Sequence, residues 1–158
     1  MFTNRNKINS KSYFMKLALA QAQRNVGNTK TNPSVGCVIV KNGSLISAGF
    51  TSYNGRPHAE YNAINFSREK LSNSDLYVTL EPCSHFGKTP PCTKLIIKNK
   101  IKRVYFSIRD HDPRSRNKCT MILKKRKIMV NKGINSKDVN NFYRSYFKYK
   151  TKERVAPQ

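Results

Sequence analysis

Apolar residues recur along this chain in two rhythms. Over residues 13–26 they fall three and four apart (Phe14, Leu17, Ala18, Ala22), which predicts a helix with one buried face. Residues 35–40 and 45–50 read as strands, and the Lys41-Asn42-Gly43-Ser44 segment between them carries the Asn-Gly pair of a tight hairpin. Helix and strand then alternate: a helix over 58–69, a strand over 76–80, a helix over 91–99 and a strand over 103–108. A helix over 118–126, a strand over 127–130 and a closing helix over 136–150 complete the series. Such alternation predicts an α/β fold, a three-layer α-β-α sandwich around a mixed five-stranded sheet.

At 158 residues the chain has the size of one domain with an adequate core. The reading is a polar N-terminal segment over 1–12, one domain over 13–150 and a tail over 151–158. There is no internal repeat and no apolar run of membrane-spanning length, so no membrane partner is expected, and the opening residues lack a secretory apolar region.

The charge pulls toward nucleic acid. A formal net charge of +23 and a pI near 10.3 would let a surface gain affinity by releasing counterions. The positive residues crowd the second half, from Lys94 to Arg154, where Tyr143, Tyr146, Phe147 and Tyr149 interleave with them and could stack on bases. The simpler reading makes those rings the buried stripe of the closing helix and the lysines its solvated face.

Two short stretches carry chemistry: His58-Ala59-Glu60, and Pro82 through Cys92. A catalytic zinc takes three protein ligands and keeps its fourth position for water. His58, Cys83 and Cys92 supply three. Singly each is an ordinary residue; the Pro before Cys83 and the Glu two after His58 make the set a zinc site. His58 is expected in a first helical turn, with Glu60 roughly 200° around the helix, placed to reach water rather than metal. Cys83 follows a predicted strand and Pro82, which suggests a strand ending where a helix begins, with thiolate favoured there by helix dipole and zinc. Zinc lowers the pKa of bound water far enough for attack near neutral pH, and Glu60 would shuttle its proton to a ring nitrogen and to departing ammonia. That is hydrolytic deamination of an amino-substituted heterocycle, the chemistry of H-x-E followed by P-C-x-x-C. Here eight residues, Ser84 to Pro91, separate the cysteines instead of two. Cys37, in an apolar strand, reads as packing; Cys119, in a basic segment, reads as an unpaired thiol.

Three stretches, Asn32-Pro-Ser-Val-Gly-Cys-Val-Ile-Val40, Gly55-Arg-Pro-His-Ala-Glu60 and Tyr77-Val-Thr-Leu-Glu-Pro-Cys-Ser-His-Phe-Gly-Lys-Thr-Pro-Pro-Cys92, resemble the deaminase domain of the bifunctional riboflavin biosynthesis proteins, within the cytidine deaminase-like superfamily. The long insert between the cysteines is specific to that family. The resemblance implies one zinc on His58, Cys83 and Cys92, Glu60 as proton shuttle, and substrate contacts from Asn32, His85, Lys88 and Thr89. It implies a phosphorylated aminopyrimidine as substrate, toward which the basic surface would steer an anion. Asn32 offers donor and acceptor to a pyrimidine edge, and Lys88 a cation to the ribose phosphate.

The chain departs from the family in three places. Where a histidine commonly precedes the His-Ala-Glu motif, this chain reads Gly49-Phe50-Thr51-Ser52, so Thr51 is the candidate replacement contact. After Asp110-His-Asp-Pro113 the family continues into glycines, whereas here Arg114-Ser-Arg-Asn-Lys-Cys119 must turn without their access to positive φ. The bifunctional enzymes continue into a reductase that uses NADPH; this sequence has no nucleotide-binding signature. NADPH is therefore not expected on this chain, and a separate reductase is a candidate partner. Self-association is expected by resemblance, and thiolate ligands suit a reducing cytoplasm. Two other readings stand beside the riboflavin-pathway deaminase: a deaminase of adenine or cytosine in tRNA or single-stranded DNA, and a non-catalytic binding or assembly domain.

Overall fold

The computed structural model describes the backbone of residues 4–155 and the side chains of residues 10–146. Along the chain run α1 (Asn4–Gln23), β1 (Gly36–Lys41), β2 (Ser44–Phe50), α2 (Ala59–Phe66), β3 (Asp75–Leu80), α3 (Cys92–Lys98), β4 (Arg103–Ile108), α4 (Lys118–Lys125), β5 (Met129–Lys132) and α5 (Ser136–Val155). A single 3-10 turn, Tyr53–Gly55, precedes α2.

The sheet has five strands in the order β2-β1-β3-β4-β5. β1 lies antiparallel to β2 and β3, while β3, β4 and β5 are parallel. This is the mixed α/β sandwich that the alternation predicts. The hairpin turns at Asn42 and Gly43, both at positive φ (51° and 78°), as a two-residue loop between twisted strands requires.

Period-two alternation divides the core into two layers. Cys37 and Ile39 of β1 and Leu76, Val78 and Leu80 of β3 face the layer that holds Ala59 and Ala63 of α2, Ile96 of α3 and Leu123 of α4. Val38, Val40 and Tyr77 face the opposite layer, under Met15 and Ala18 of α1. There Tyr77 stacks on Tyr105 with ring centroids 4.5 Å apart. Two glycines set how closely helices approach the sheet. A methyl group at Gly36 would run into the Ala18 carbonyl oxygen of α1, and one at Gly49 would lie 2.5 Å from the Ala63 nitrogen of α2.

Several boundaries differ from the sequence reading. α1 begins at Asn4 within the segment expected to be merely polar, and its middle is tied to the far end of the fold: Ser12 Oγ donates to Asn135 Oδ1, and Asn135 Nδ2 donates to the Ser12 carbonyl, both at 2.9 Å. β5 begins two residues late because Lys127 takes φ 60° and Ile128 turns inward, leaving Met129 to start the ladder. Cys119, read as an unpaired thiol in a basic segment, is fully buried on the inner face of α4. Among the described residues no helix is long and apolar enough to cross a membrane.

Candidate active site

A cavity of about 760 Å³ opens at the C-terminal ends of β3 and β4. That is where parallel strands of α/β sheets present ligand sites. Its floor brings together the residues that spacing singled out.

His58 is the N-cap of α2, with extended backbone (φ −69°, ψ 164°), and does not lie in a helical turn as expected. The 100° step per residue therefore does not separate it from Glu60, and both line the same cavity. Cys83 also differs from expectation. It sits in a loop after β3, and the helix begins only at Cys92. The anticipated helix terminus is nonetheless present in space, because the Cys92 backbone N–H donates to Cys83 Sγ at 3.2 Å.

His58 Nδ1 stands 3.7 Å from Cys83 Sγ and 3.7 Å from Cys92 Sγ, and the three ligand atoms lie within 4.8 Å of one another. A tetrahedral zinc with ordinary Zn–S and Zn–N bonds separates such atoms by about 3.6 Å. The donor set also suits a cation. Hydrogen bonds from Cys92 and from His58 pull the Cys83 thiol down to about 4, so it is a thiolate at neutral pH. Its hydrogen bond with Cys83 and its burial push the Cys92 thiol up. Two sulfurs cannot both ionise side by side until a positive charge sits between them. One imidazole, two thiolates and that spacing fit Zn²⁺.

Glu60 is 4% exposed. Burial pushes its carboxyl up to about 7, against the pull of the neighbouring His58, and it shares a hydrogen bond with Cys92. A carboxyl so poised can take and return a proton near neutral pH.

Of the expected substrate contacts, Asn32, Thr51 and His85 line the cavity, and Lys88 and Thr89 stand on the exposed loop beyond its lining. Asn32 Nδ2 donates to the Gly55 carbonyl at 3.0 Å, which leaves Oδ1 as an acceptor at the cavity wall. The Thr51 hydroxyl is spent on backbone: it accepts from the Val35 N–H at 2.8 Å and lies 3.3 Å from the Pro33 carbonyl. Thr89 Oγ1 accepts from Arg56 Nη1 at 2.9 Å.

Other side chains that line the cavity carried no signal of their own in the sequence. Glu81 Oε1 accepts from the backbone N–H groups of Asp110 (3.1 Å) and Asn117 (3.3 Å), and so holds the loop after β4 against the site. That loop turns through Asn117 at φ 65°, asparagine doing what the expected glycine would. Asp112 in the same loop pairs with Arg114 at 2.6 Å. Arg56, Arg116 and Tyr146 also line the cavity. Of the aromatics flagged for stacking, Tyr143 is buried, its hydroxyl 2.8 Å from Thr79 Oγ1 and donating to the Ser34 carbonyl at 2.7 Å. Tyr146 donates to the Thr31 carbonyl at 3.0 Å. The side chains of Phe147 and Tyr149 lie outside the described residues.

Residues 8–108 match the cytidine and deoxycytidylate deaminase zinc-binding region. The chain is 42% identical over 141 residues to the riboflavin biosynthesis protein RibD of Aquifex aeolicus, covering 89% of this chain and 40% of that protein's length. It is 40% identical over 136 residues to the diaminohydroxyphosphoribosylamino-pyrimidine deaminase of Buchnera aphidicola (Schizaphis graminum), covering 86% of this chain and 92% of the relative. Among solved structures, the diaminohydroxyphosphoribosylaminopyrimidine deaminase/5-amino-6-(5-phosphoribosylamino)uracil reductase of Thermotoga maritima superposes with a TM-score of 0.86 at 40% identity, over 93% of this chain and 43% of that one.

Proposed function

The chain belongs to the family of deaminases with the cytidine and deoxycytidylate zinc-binding region, and we propose that it deaminates 2,5-diamino-6-ribosylamino-4(3H)-pyrimidinone 5′-phosphate to 5-amino-6-ribosylaminouracil 5′-phosphate and ammonia. The observation that carries this reading is the convergence of His58, Cys83 and Cys92 beside a buried carboxyl, Glu60, at the floor of one cavity. The similarity to a Buchnera protein named for this deamination, over most of both chains, supports the choice of substrate.

When bound, zinc supplies a Lewis acid that makes water a nucleophile near neutral pH. Glu60 accepts one proton of the attacking water and delivers it to the ring nitrogen next to the amino-bearing carbon, then takes the second from the newly formed hydroxyl as the carbonyl forms and the C–N bond breaks, and passes it to the departing amine. Its burial keeps bulk water from intercepting that proton. Asn32 Oδ1 accepts from an amino or N–H group on the pyrimidine edge. The loop clasped by Glu81 contributes Asp110, Asp112, Arg114 and Arg116 to the cavity lining.

Ammonia release by the zinc-loaded protein from this substrate, with Glu60→Gln beside it, tests the proposal. Glu60-dependent release supports it; zinc-loaded protein that releases none overturns it and favours a binding or assembly role. The exposed Lys94, Lys98, Lys100 and Lys102 favour a second reading, deamination of a base in tRNA or single-stranded DNA. Release from such a substrate that falls as salt rises would put that reading first. Two thiolate ligands suit a reducing cytoplasm. A separate reductase that consumes the product, and self-association visible by light scattering, complete the proposal.

A further inference from the structure

We propose that one corner of the cavity is an anion subsite, built by Arg56 and by His85, which Ser115 holds in the tautomer with its proton on Nε2, and that this corner takes the phosphate of the substrate. The identity of the anion rests on the function proposed above; the existence of the corner does not.

The argument begins with one hydroxyl. Ser115 is fully buried. Its Oγ receives the Ser84 backbone N–H at 3.2 Å and lies 2.6 Å from His85 Nδ1. A hydroxyl has one proton and can accept from others. If Nδ1 carried the imidazole proton, the oxygen would face two donors and its own proton would have no acceptor among the described residues. A buried donor left unmet is costly. Ser115 therefore donates to Nδ1, and the neutral ring carries its hydrogen on Nε2.

A second donor stands near that ring nitrogen. A side chain at Gly87 would start 3.6 Å from Arg56 Nη2 and 3.9 Å from His85 Nε2. The two nitrogens thus flank one small space, and glycine leaves it open. Arg56 is anchored on a neutral group, its Nη1 donating to the Thr89 hydroxyl. Each of the four carboxylates that line the same cavity has another partner: Asp112 pairs with Arg114, Asp110 accepts from the Asp112 N–H, Glu81 accepts from the Asp110 and Asn117 N–H groups, and Glu60 shares a hydrogen bond with Cys92. A planar guanidinium fixed at one nitrogen and open at another suits a phosphate oxygen. Lys88, the cation that motif reading assigned to phosphate, stands outside the cavity lining. Arg56 is therefore a specificity residue, and Ser115 a positioning residue that acts through His85.

Two measurements on the zinc-loaded full chain test this. The first is the affinity of ribose 5-phosphate and of inorganic phosphate, beside the ratio of kcat/KM for the phosphorylated pyrimidine to that for its dephosphorylated nucleoside. Loss of a charge-assisted hydrogen bond predicts that Arg56→Gln weakens ribose 5-phosphate binding and lowers that ratio by about 10- to 100-fold, mainly through KM. Gly87→Ala, whose added methyl meets nothing nearer than 3.6 Å, should fold and still lower the ratio. The second is the ¹⁵N spectrum of the imidazoles, of which the chain has three. His85 should read as the Nε2–H tautomer in the parent, lose that bias in Ser115→Ala and regain it in Ser115→Thr.

Ribose 5-phosphate affinity within twofold of the parent in Arg56→Gln, or an Nδ1–H signature for His85 in the parent, overturns the proposal. Arg56-dependent binding of ribose 5-phosphate without turnover of the pyrimidine would uphold the corner and reject the substrate. Turnover indifferent to Arg56 would do the reverse.

Discussion

The floor of the cavity and its rim are built on different terms. The floor draws His58 and Glu60 from the start of α2, Cys92 from the start of α3 and Cys83 from the exit of β3, each anchored to an element whose other face is core. The rim is loop against loop. Residues 84–91 and 110–117 meet through Ser115, and Thr89 is reached by Arg56 from the segment before α2. The floor fixes which reaction is possible, because its atoms must match a metal and a proton path. The rim fixes which molecule is held, and its contacts can be exchanged one at a time.

That contrast is tested most severely by Cys92→Ser. Losing one of three donors should cut zinc content by more than tenfold and abolish turnover, as read by metal analysis and ammonia release; a variant that keeps both would show that the floor tolerates exchange as the rim does. Next comes Glu60→Gln, which should keep zinc while kcat falls by roughly 10²–10⁴. Equal rates in variant and parent would remove Glu60 from the chemistry.

A smaller effect is expected from Tyr143→Phe. It strips a buried hydroxyl from between Thr79 and the Ser34 carbonyl, costing about 1–3 kcal/mol of stability in denaturant unfolding, with zinc content unchanged. Normal stability would uncouple the strand under the floor from the C-terminal helix. The smallest effect belongs to Lys88→Ala. Because this lysine is exposed and outside the cavity lining, kcat/KM on the phosphorylated substrate should fall less than about threefold, as for a screened surface charge. A loss as large as that of Arg56→Gln would mean that the loop closes over the substrate.

The same division governs how much could be read from sequence. β4 matches its predicted bounds, 103–108, and β1 and β3 lie within one residue of expectation, because burial on both faces leaves a dense apolar run; β5, largely exposed, is displaced by two residues. The convergence of His58, Cys83 and Cys92 was legible because metal geometry constrains residue type and spacing together. The opening residues of α1 were not, since their sequence lacks an apolar stripe; among the described residues Ser12 ties the helix to Asn135. Nor were the N-cap geometry of His58 and the nine-residue separation of Cys83 from its helix, because motif spacing says nothing of where a helix begins. Ser115 and Arg56 were invisible for another reason. A serine and an arginine are common on loops, and what distinguishes these two is burial in one case and a shared space above a glycine in the other.

The Tyr143 hydroxyl has a consequence for the order in which a nascent chain acquires its parts. The three donors of the proposed zinc site lie between residues 58 and 92, so all leave the ribosome some fifty residues before the tyrosine that pins β3 to the segment carrying Asn32. Tyr146, which supplies cavity wall, follows three residues later. The donors of the proposed metal site are thus synthesised before the residues that complete the cavity wall, which waits for the docking of α5 through Tyr143 and Tyr146.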